Sequence, residues 1–366
     1  MNTEYGKQPY SQFKYCNRCC LPDTVEGIQF DEMGICRACQ SHEQKMHINW
    51  DEREKKLREL LESYKSKSGD NYDCIVPISG GKDSCFQLHV LVKKYGMKPL
   101  AVTFNHNWYT ETGKFNLWNI LEKLNVDHVM FTPNRALINK LTKRSLSKIG
   151  DSCWHCHAGV GSFPLQAAVK FNIPLLVWGE SIAENSARAS YFDPVHYDPE
   201  YFLRVSTKVK PDNMTGGDIT SKDLHCFQNP SLDDMKKTGI VGIHLGDYIF
   251  WDNERQKEFV QSEYGWREHE VEGTYKRYKS NECKMPGVHD YTKFLKRGYG
   301  RATDHASWDV RAGLLTREEA FEIAKREDSK KPGVLKEYLE LVGLTEKEFE
   351  DIIKAQRQGK AKELDS

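Results

Sequence analysis

The sequence lacks an excess of charge of either sign. Lys and Arg together number 53, and Asp and Glu also number 53, so the chain of 366 residues has a formal net charge of zero. No global electrostatic field therefore attracts it to RNA, DNA or a lipid surface, and we do not expect a nucleic-acid partner. A small or locally charged substrate is the better expectation.

Long hydrophobic runs are also missing. No apolar stretch approaches the roughly 20 residues that a membrane-spanning helix needs. The N-terminal segment MNTEYGKQPY has no apolar core of the kind found in signal peptides. We therefore expect a cytoplasmic protein with no membrane partner. Because 39% of the residues are hydrophobic, the chain can still bury a sizeable core.

Cysteine, by contrast, is plentiful, with eleven residues. In a cytoplasmic chain this favours metal binding or catalysis over disulfides. Two C-x-x-C pairs, Cys16 with Cys19 and Cys36 with Cys39, are separated by sixteen residues. This spacing predicts a zinc ribbon in which four thiolates hold one Zn2+ ion, with a short strand at residues 28–30.

The chain after residue 71 alternates between strand-like and helical segments. Strands are expected at 74–78, 99–104, 127–131 and 173–179, and helices after the first strand and at 116–124, 135–149 and 161–171. Such alternation predicts an α/β fold with a doubly wound parallel sheet.

Four regions follow from these patterns. They are a zinc ribbon (1–43), a helical linker (44–70), a catalytic domain (71–311) and a C-terminal helical extension (312–366). The extension carries two predicted capping boxes, which begin at Thr316 and Thr345. Residues 190–240, rich in Tyr, Asp, Pro and Gly, read as a long insertion positioned to cover a substrate.

A glycine loop with the sequence S-G-G-K-D-S joins the first strand to the next helix. It is not a Walker A loop, because Val76 stands where the first glycine belongs and Asp83 follows Lys82. The adjacent glycines also fail the Rossmann pattern. Glycines, a helix N-terminus, hydroxyls and an ammonium group together predict an oxyanion cradle for pyrophosphate. Its residues are Ser79, Gly80, Gly81, Lys82, Asp83 and Ser84.

This loop resembles the PP-loop of ATP pyrophosphatases, which split ATP into AMP and pyrophosphate. Three further features narrow the resemblance: the cysteine ribbon, VWGES at 177–181 and GYGRATDHAS at 298–307. Together they resemble the N-acetyl sugar amidotransferase family (WbpG-like and PseA-like) over residues 15–340. The resemblance implies an HUP-like catalytic domain and a role in bacterial surface polysaccharide biosynthesis, such as that of the lipopolysaccharide O-antigen.

The resemblance also implies the reaction. ATP would adenylate the carbonyl oxygen of an acetamido group on a nucleotide-linked sugar, and ammonia would then replace AMP to give an acetamidino group. Lys82 and the loop N–H groups would stabilise the leaving pyrophosphate, and Asp83 would hold Mg2+. By analogy with parallel sheets in general, the backbone at Thr103 and Phe104 and at Gly179 would frame the adenosine.

A basic stretch, residues 293–305, has the composition of a flexible loop that clamps phosphate or a carboxylate. Arg301 and Lys296 are its best candidates for contact with ATP or substrate. Asp304 or His305 is the candidate proton acceptor for ammonia. The alternative is a solvated basic loop without a ligand.

A lone C-x-x-C at Cys153 and Cys156 is a second candidate metal site. Cys226 or Cys283 would complete it, and three cysteines around an open iron suit a [4Fe-4S] cluster. The alternative is a reduced, buried pair that lines the substrate cleft.

The sequence lacks the motifs that identify a glutaminase. It starts Met1-Asn2, whereas a class II glutaminase needs an N-terminal cysteine, and no Gly-x-Cys-x-Gly elbow is present. The resemblance therefore implies a separate glutaminase subunit, of the histidine-biosynthesis type with its barrel partner, that supplies ammonia. The ribbon is its expected docking surface.

Two rival functions remain open. A PP-loop tRNA thiolase would use the same adenylation with Cys153, Cys156 and a third cysteine, but the neutral charge offers it no RNA-binding face. A zinc-ribbon scaffold without catalysis is weaker still, because every donor of S-G-G-K-D-S is present.

Overall fold

The computed structural model describes residues 5–185, 190–195, 197–205 and 209–364. Its centre is a sheet of five parallel strands in the order β3-β2-β1-β4-β5. The strands are β1 (Cys74–Pro77), β2 (Pro99–Phe104), β3 (His128–Phe131), β4 (Leu175–Trp178) and β5 (Val241–His244). Helices cover both sides of the sheet, and the predicted α/β fold is confirmed.

The central strands are apolar on both faces, as parallel strands must be when helices cover both sides. Val76 of β1 packs into one core, together with Leu88 and Leu117. Its neighbour Ile75 points the other way and packs into a second core with Leu165. Burial on both faces explains why the strands could be recognised as short continuous apolar runs.

The helices of the described residues connect the strands and extend the chain at both ends. They are α1 (Arg37–Lys45), α2 (Trp50–Ser68), α3 (Lys82–His89), α4 (Glu111–Leu124), α5 (Arg135–Ile149), α6 (Trp154–Phe171), α7 (Ile182–Asn185), α8 (Pro199–Val205), α9 (Leu232–Thr238), α10 (Asn253–Tyr264), α11 (Pro286–Arg297), α12 (Arg301–Arg311), α13 (Arg317–Glu327), α14 (Leu335–Val342) and α15 (Glu346–Lys354).

Three local predictions were wrong. Residues 28–30 form no strand, and only Phe30 makes an isolated bridge, to Cys36. The stretch 293–305 is not a flexible loop. Instead it joins α11 to α12 through Gly298, which has φ +75° and ends α11. The fifth strand, β5, was not predicted, because Gly242 and His244 interrupt its apolar residues.

The C-terminal helices begin as expected. In α13 and α15 the side chains of Thr316 and Thr345 accept a hydrogen bond from the N–H of the third helical residue, and the glutamate side chain of that residue accepts one from the N–H of the cap. Both capping boxes are therefore confirmed, while the boundaries between the four regions stay a prediction. Among the described residues, none of the helices combines the length and the apolar composition that crossing a bilayer requires.

The expected insertion at 190–240 contains α8, α9 and short 3-10 turns. Part of it, residues 196 and 206–208, lies outside the described residues. That it covers a substrate stays a prediction.

The contact between Gly159 and Phe104 tests the packing of α6 on the sheet. A Cβ atom on Gly159 would lie 2.3 Å from the Phe104 ring. We expect Gly159→Ala to lower the free energy of unfolding by about 1–3 kcal/mol through overpacking, although Ala is the better helix former. Denaturant unfolding would measure this.

The control is Val160→Ala on the same helix, because Val160 is 44% exposed and should change stability little. A Gly159→Ala protein as stable as the wild type would contradict the close contact.

Candidate active site

The glycine loop lies between β1 and α3 at the carboxyl end of the sheet. Gly80 has a φ of +86°, which residues with side chains rarely adopt. A Cβ atom there would lie 2.7 Å from the carbonyl oxygen of Gly113. Gly81 precedes α3 as its N-cap and brings no side chain of its own. The N–H groups at the start of α3 are therefore open to an anion, as a phosphate site requires.

The two serines of the loop hold its shape. Ser84 Oγ donates to the carbonyl oxygen of Gly81 (2.9 Å) and accepts from the N–H of Ser79 (3.3 Å). From outside the loop, the Tyr109 hydroxyl donates to the Ser79 carbonyl (3.0 Å), and the Trp266 indole donates to the next carbonyl (2.9 Å). The loop is thus held in one conformation before any ligand binds.

Two lysines share one carboxylate and one amide at the loop. Lys82 is 1% exposed, forms an ion pair with Asp83 and donates to Asn253 Oδ1 (2.7 Å). Lys279 Nζ donates to the same Asn253 oxygen (3.2 Å) and lies 3.5 Å from Asp83 Oδ2. The Trp251 indole also donates to Asp83 (3.2 Å). We call Lys82, Asp83, Asn253 and Lys279 the lysine cluster.

Burial and charge set the protonation of the lysine cluster. Burial lowers the pKa of Lys82 to about 8, against the pull of Asp83. For Asp83, burial opposes ionisation, but Lys279 and Lys82 hold its pKa well below the usual range. For Lys279, burial is outweighed by Asp83 and Glu180, and its pKa is raised. Both ammonium groups are therefore charged near pH 7.

Asp83 fits a magnesium ion poorly in this arrangement. Its carboxylate already faces both ammonium groups of the lysine cluster and accepts from the Trp251 indole. It therefore positions the lysines, and its predicted role as a Mg2+ ligand stays a prediction that requires one lysine to move.

The predicted adenosine residues lie around the loop. The Thr103 hydroxyl donates to the carbonyl oxygen of Ile78 (2.6 Å), and Phe104 is 4% exposed in the core. A Cβ atom on Gly179 would lie 2.8 Å from the Trp251 ring, so glycine allows this close packing. The side chains of Thr103 and Phe104 thus stabilise the fold. Contact of adenosine with the backbone at these residues and at Gly179 stays a prediction.

Arg301 begins α12 and is tied to neighbouring segments. Its guanidinium donates to Asp290 Oδ2 (2.8 Å) and to the Ser280 hydroxyl (2.7 Å). Lys296, named with it, donates instead to the carbonyl oxygen of Gly150 (3.0 Å), on the side of α5. The structure therefore does not bring these two predicted cations together.

Asp304 and His305 are engaged within the same helical region. Asp304 forms an ion pair with Lys293, and His305 shares a hydrogen bond with the Thr274 hydroxyl (2.6 Å). Burial, followed by nearby cations such as Arg301, places the pKa of His305 well below its usual value. Both side chains already have a hydrogen-bonding partner, and a role as proton acceptor for ammonia stays a prediction.

Sequence reasoning missed several residues that meet at the loop. Lys279 and Glu282 come from a segment of irregular structure before α11, and Trp251 and Asn253 follow β5. The letters Y-K-S-N-E-C match no motif with a known mechanism. Only their position in space reveals them, because they lie about 170 to 200 residues from the loop in sequence.

The four ribbon cysteines form a candidate metal centre. All are buried, and their sulfur atoms lie within 4.8 Å of one another. Cys16 Sγ is 3.9 Å from Cys39 Sγ, and Cys19 Sγ is 3.8 Å from Cys36 Sγ. A tetrahedron with Zn–S bonds of about 2.3 Å has edges of about 3.8 Å. The residues therefore fit a structural zinc ion.

Cys153 and Cys156 lie at the start of α6. In the described ranges, no further set of three Cys, His, Asp or Glu side chains brings its ligand atoms within 4.8 Å of one another. A second site for a single ion is therefore not assembled there. Cys283 lies near both Cys156 and Cys153, since its thiol adds to the rise in pKa that burial causes in each of them. Cys226 belongs to the same buried apolar cluster as Cys153. A [4Fe-4S] cluster stays a prediction.

Comparison with known proteins agrees with the motifs. Residues 272–362 match the family model described as "LPS biosynthesis protein WbpG-like, C-terminal domain", which confirms the predicted WbpG-like resemblance. The matched residues include Lys279, Glu282 and Arg301.

Three other proteins are similar to this chain. An uncharacterized protein of Methanocaldococcus jannaschii is 25% identical over 319 residues, which cover 87% of this chain and 93% of that protein. A probable sulfurtransferase of the same organism is 32% identical over 133 residues, or 31% of this chain and 40% of that protein. The structure of NMN synthetase from Francisella tularensis has a TM-score of 0.30 and 12% identity, with coverage of 61% of this chain and 98% of that one.

The ribbon predicts one zinc ion per chain. We expect Cys36→Ser to lose the metal and to melt at a lower temperature, because a structural zinc site contributes directly to folding. Metal analysis by inductively coupled plasma mass spectrometry and thermal unfolding would measure both.

The matched control is Cys20→Ser, because Cys20 bonds to the carbonyl oxygen of Thr303 (3.4 Å) and is outside the four-cysteine set. Equal zinc content in the two variants would contradict the assignment.

Gly80 tests whether the loop needs its close packing. We expect Gly80→Ala to weaken ATP binding roughly tenfold or more, because a clash of about 1–3 kcal/mol displaces the loop. Isothermal titration calorimetry would measure it. Gly69→Ala is the control, since Gly69 also has a positive φ of 59° but has nothing within 4 Å of the added atom. Equal effects of both substitutions would contradict a steric origin.

Proposed function

We propose that this protein, whose residues 272–362 match a WbpG-like C-terminal domain, is an ATP-dependent N-acetyl sugar amidotransferase. It would convert an acetamido group of a nucleotide-linked sugar into an acetamidino group in the biosynthesis of a bacterial surface polysaccharide such as the lipopolysaccharide O-antigen. ATP would be split into AMP and pyrophosphate.

The lysine cluster is the observation that carries this proposal. Lys82 belongs to the glycine loop, whereas Lys279 belongs to the WbpG-like residues, and both donate to Asn253 Oδ1. The part of the chain that resembles a sugar enzyme therefore contributes to the same site as the part that resembles an ATP pyrophosphatase. Two ammonium groups beside a helix N-terminus are suited to a leaving pyrophosphate.

The first step would activate the amide. The carbonyl oxygen of the acetamido group attacks the α-phosphorus of ATP, the bond to the β,γ-pyrophosphate breaks, and the amide N–H proton is released to solvent, which leaves an O-adenylyl imidate. Lys82 and Lys279 stabilise the negative charge that collects on pyrophosphate, together with the N–H groups of the loop. Mg2+ carried by ATP would neutralise part of the same charge.

The second step would use ammonia from another subunit. We place its source in a glutaminase of the histidine-biosynthesis type with its barrel partner. The ribbon is the proposed docking surface, because it is attached to the WbpG-like residues: Arg317 donates to the carbonyl oxygens of Cys16 and Cys19 (3.0 Å each).

A tRNA thiolase is the second candidate. Cys156 and Cys283 lie near each other and near Glu282, close to the glycine loop, where a sulfur carrier would be useful. The similarity to a probable sulfurtransferase over 133 residues also favours it. The neutral net charge does not.

The deciding experiment incubates purified protein with ATP, Mg2+, ammonium and a UDP-linked diacetamido-uronic acid. We expect AMP together with a sugar product in which one oxygen has been replaced by NH, measured by chromatography and mass spectrometry. Lys82→Met should reduce both products by roughly 100-fold or more, because a preorganised charge at the leaving group is lost.

Lys55→Met on the exposed side of α2 is the control and should behave as the wild type. Sugar-independent AMP release that instead requires tRNA and a sulfur donor would contradict the amidotransferase and establish the thiolase.

A further inference from the structure

Glu282 lies beside the glycine loop on a segment fixed by main-chain contacts. Its carbonyl oxygen accepts from the N–H of Thr110 (3.0 Å), and Tyr109 and Cys283 pair as an isolated antiparallel bridge. The two Glu282 carboxylate oxygens lie 3.5 and 3.6 Å from the place that a Cβ atom would take on Gly81. The carboxylate therefore faces the loop.

The Glu282 carboxylate has a free acceptor atom. The side chain is only partly buried, but its Oε2 atom is inaccessible to solvent and has no hydrogen-bond partner within the described ranges. The nearest cations bond elsewhere, Arg301 to Asp290 and Lys279 to Asn253. A buried oxygen without a partner is costly for the free protein and is ready to accept a proton from a bound ligand.

The other carboxylates near the loop are already neutralised. Each is in an ion pair with at least one cation: Asp83 with Lys82, Glu180 with Lys279 (3.8 Å), Asp290 with Arg301, Asp304 with Lys293, and Glu254 with Lys276. Glu282 is in none of these pairs, which makes it a better candidate base than Asp304.

We propose that Glu282 is the catalytic base that accepts a proton from ammonia in the amination step. The proposal rests on the proposed amidotransferase function. The lone pair of ammonia forms a C–N bond to the carbon of the O-adenylyl imidate, and the C=N π electrons move to the sugar nitrogen. Glu282 then takes one proton from the new ammonium group. The C–O bond to AMP breaks with its electron pair, and the acetamidino group remains.

Charged and titratable groups face Glu282 from every side. They are Asp83 and Cys85 from the loop and α3, Tyr109, Cys156 from α6, Cys283, Lys279, and Arg301 from α12. Burial raises the pKa of Glu282, with a contribution from Asp83, while Arg301 and Lys279 oppose it. A carboxylate with a raised pKa is the stronger base near neutral pH.

The test separates the two chemical steps in the Glu282→Gln variant. Sugar-dependent exchange of labelled pyrophosphate into ATP, without ammonia, reports adenylation, and we expect it to be unchanged. Ammonia-dependent amidine formation should fall roughly 100-fold or more, as for the loss of a general base. At a fixed concentration of free ammonia, the wild-type rate should rise with pH as the Glu282 carboxyl ionises, and this rise should be absent in the variant. Glu270→Gln is the matched control, because that side chain is 89% exposed.

Hydroxylamine distinguishes a base from a structural residue. It is much less basic than ammonia, so its adduct loses a proton readily to water, and we expect it to restore product formation in Glu282→Gln far more than in the control. Loss of pyrophosphate exchange in Glu282→Gln would overturn the proposal, because the residue would then act in the ATP site. Equal losses with ammonia and hydroxylamine would also overturn it. If wild-type protein exchanges pyrophosphate but forms no amidine, the amidotransferase function fails, and this proposal with it.

Discussion

The lysine cluster is the interaction on which the rest of the site depends. Two ammonium groups, one carboxylate and one amide oxygen meet in a largely buried space, and buried charges are tolerated only when each has a partner. Removal of Asp83 would leave Lys82 and Lys279 to repel each other, and removal of either lysine would leave a buried carboxylate with less compensation. The cluster is therefore stable only as a unit, and it ties together three distant segments of the chain.

The parallel sheet explains how those segments meet. β1 ends in the glycine loop, and its neighbour β4 is followed by β5, which leads to Asn253 at the start of α10. The carboxyl ends of parallel strands share one edge of the sheet, so residues that follow different strands become neighbours there. Lys279 reaches the same edge of the sheet from the segment that precedes α11. The loop, the sheet edge and the WbpG-like residues therefore meet at one place, as the proposed reaction of ATP with a second substrate requires.

Features formed by residues close together in the sequence could be predicted, whereas features formed by contacts between distant residues could not. The loop, the four clustered cysteines and both capping boxes are patterns a few residues long, and the parallel sheet followed from apolar runs of typical length. The fifth strand has no such run, because Gly242 and His244 interrupt it. The glycines and cations around Arg301 predict a flexible loop, but Gly298 ends one helix and Gly300 precedes the next. Lys279 and Glu282 gain their meaning only from contacts across the fold.

The ribbon also has a consequence for the synthesis of the protein. Cys20 bonds to Thr303, which follows it by 283 residues, and Arg317 of α13 bonds to the same ribbon. At a synthesis rate of about 5–20 residues per second, the ribbon leaves the ribosome roughly 15 to 60 s before the helices that it packs against. During that interval the ribbon cannot yet pack against α12 and α13. Because all four cysteines lie within one short segment, zinc binding would let the ribbon fold as soon as it emerges, before α12 and α13 have been synthesised.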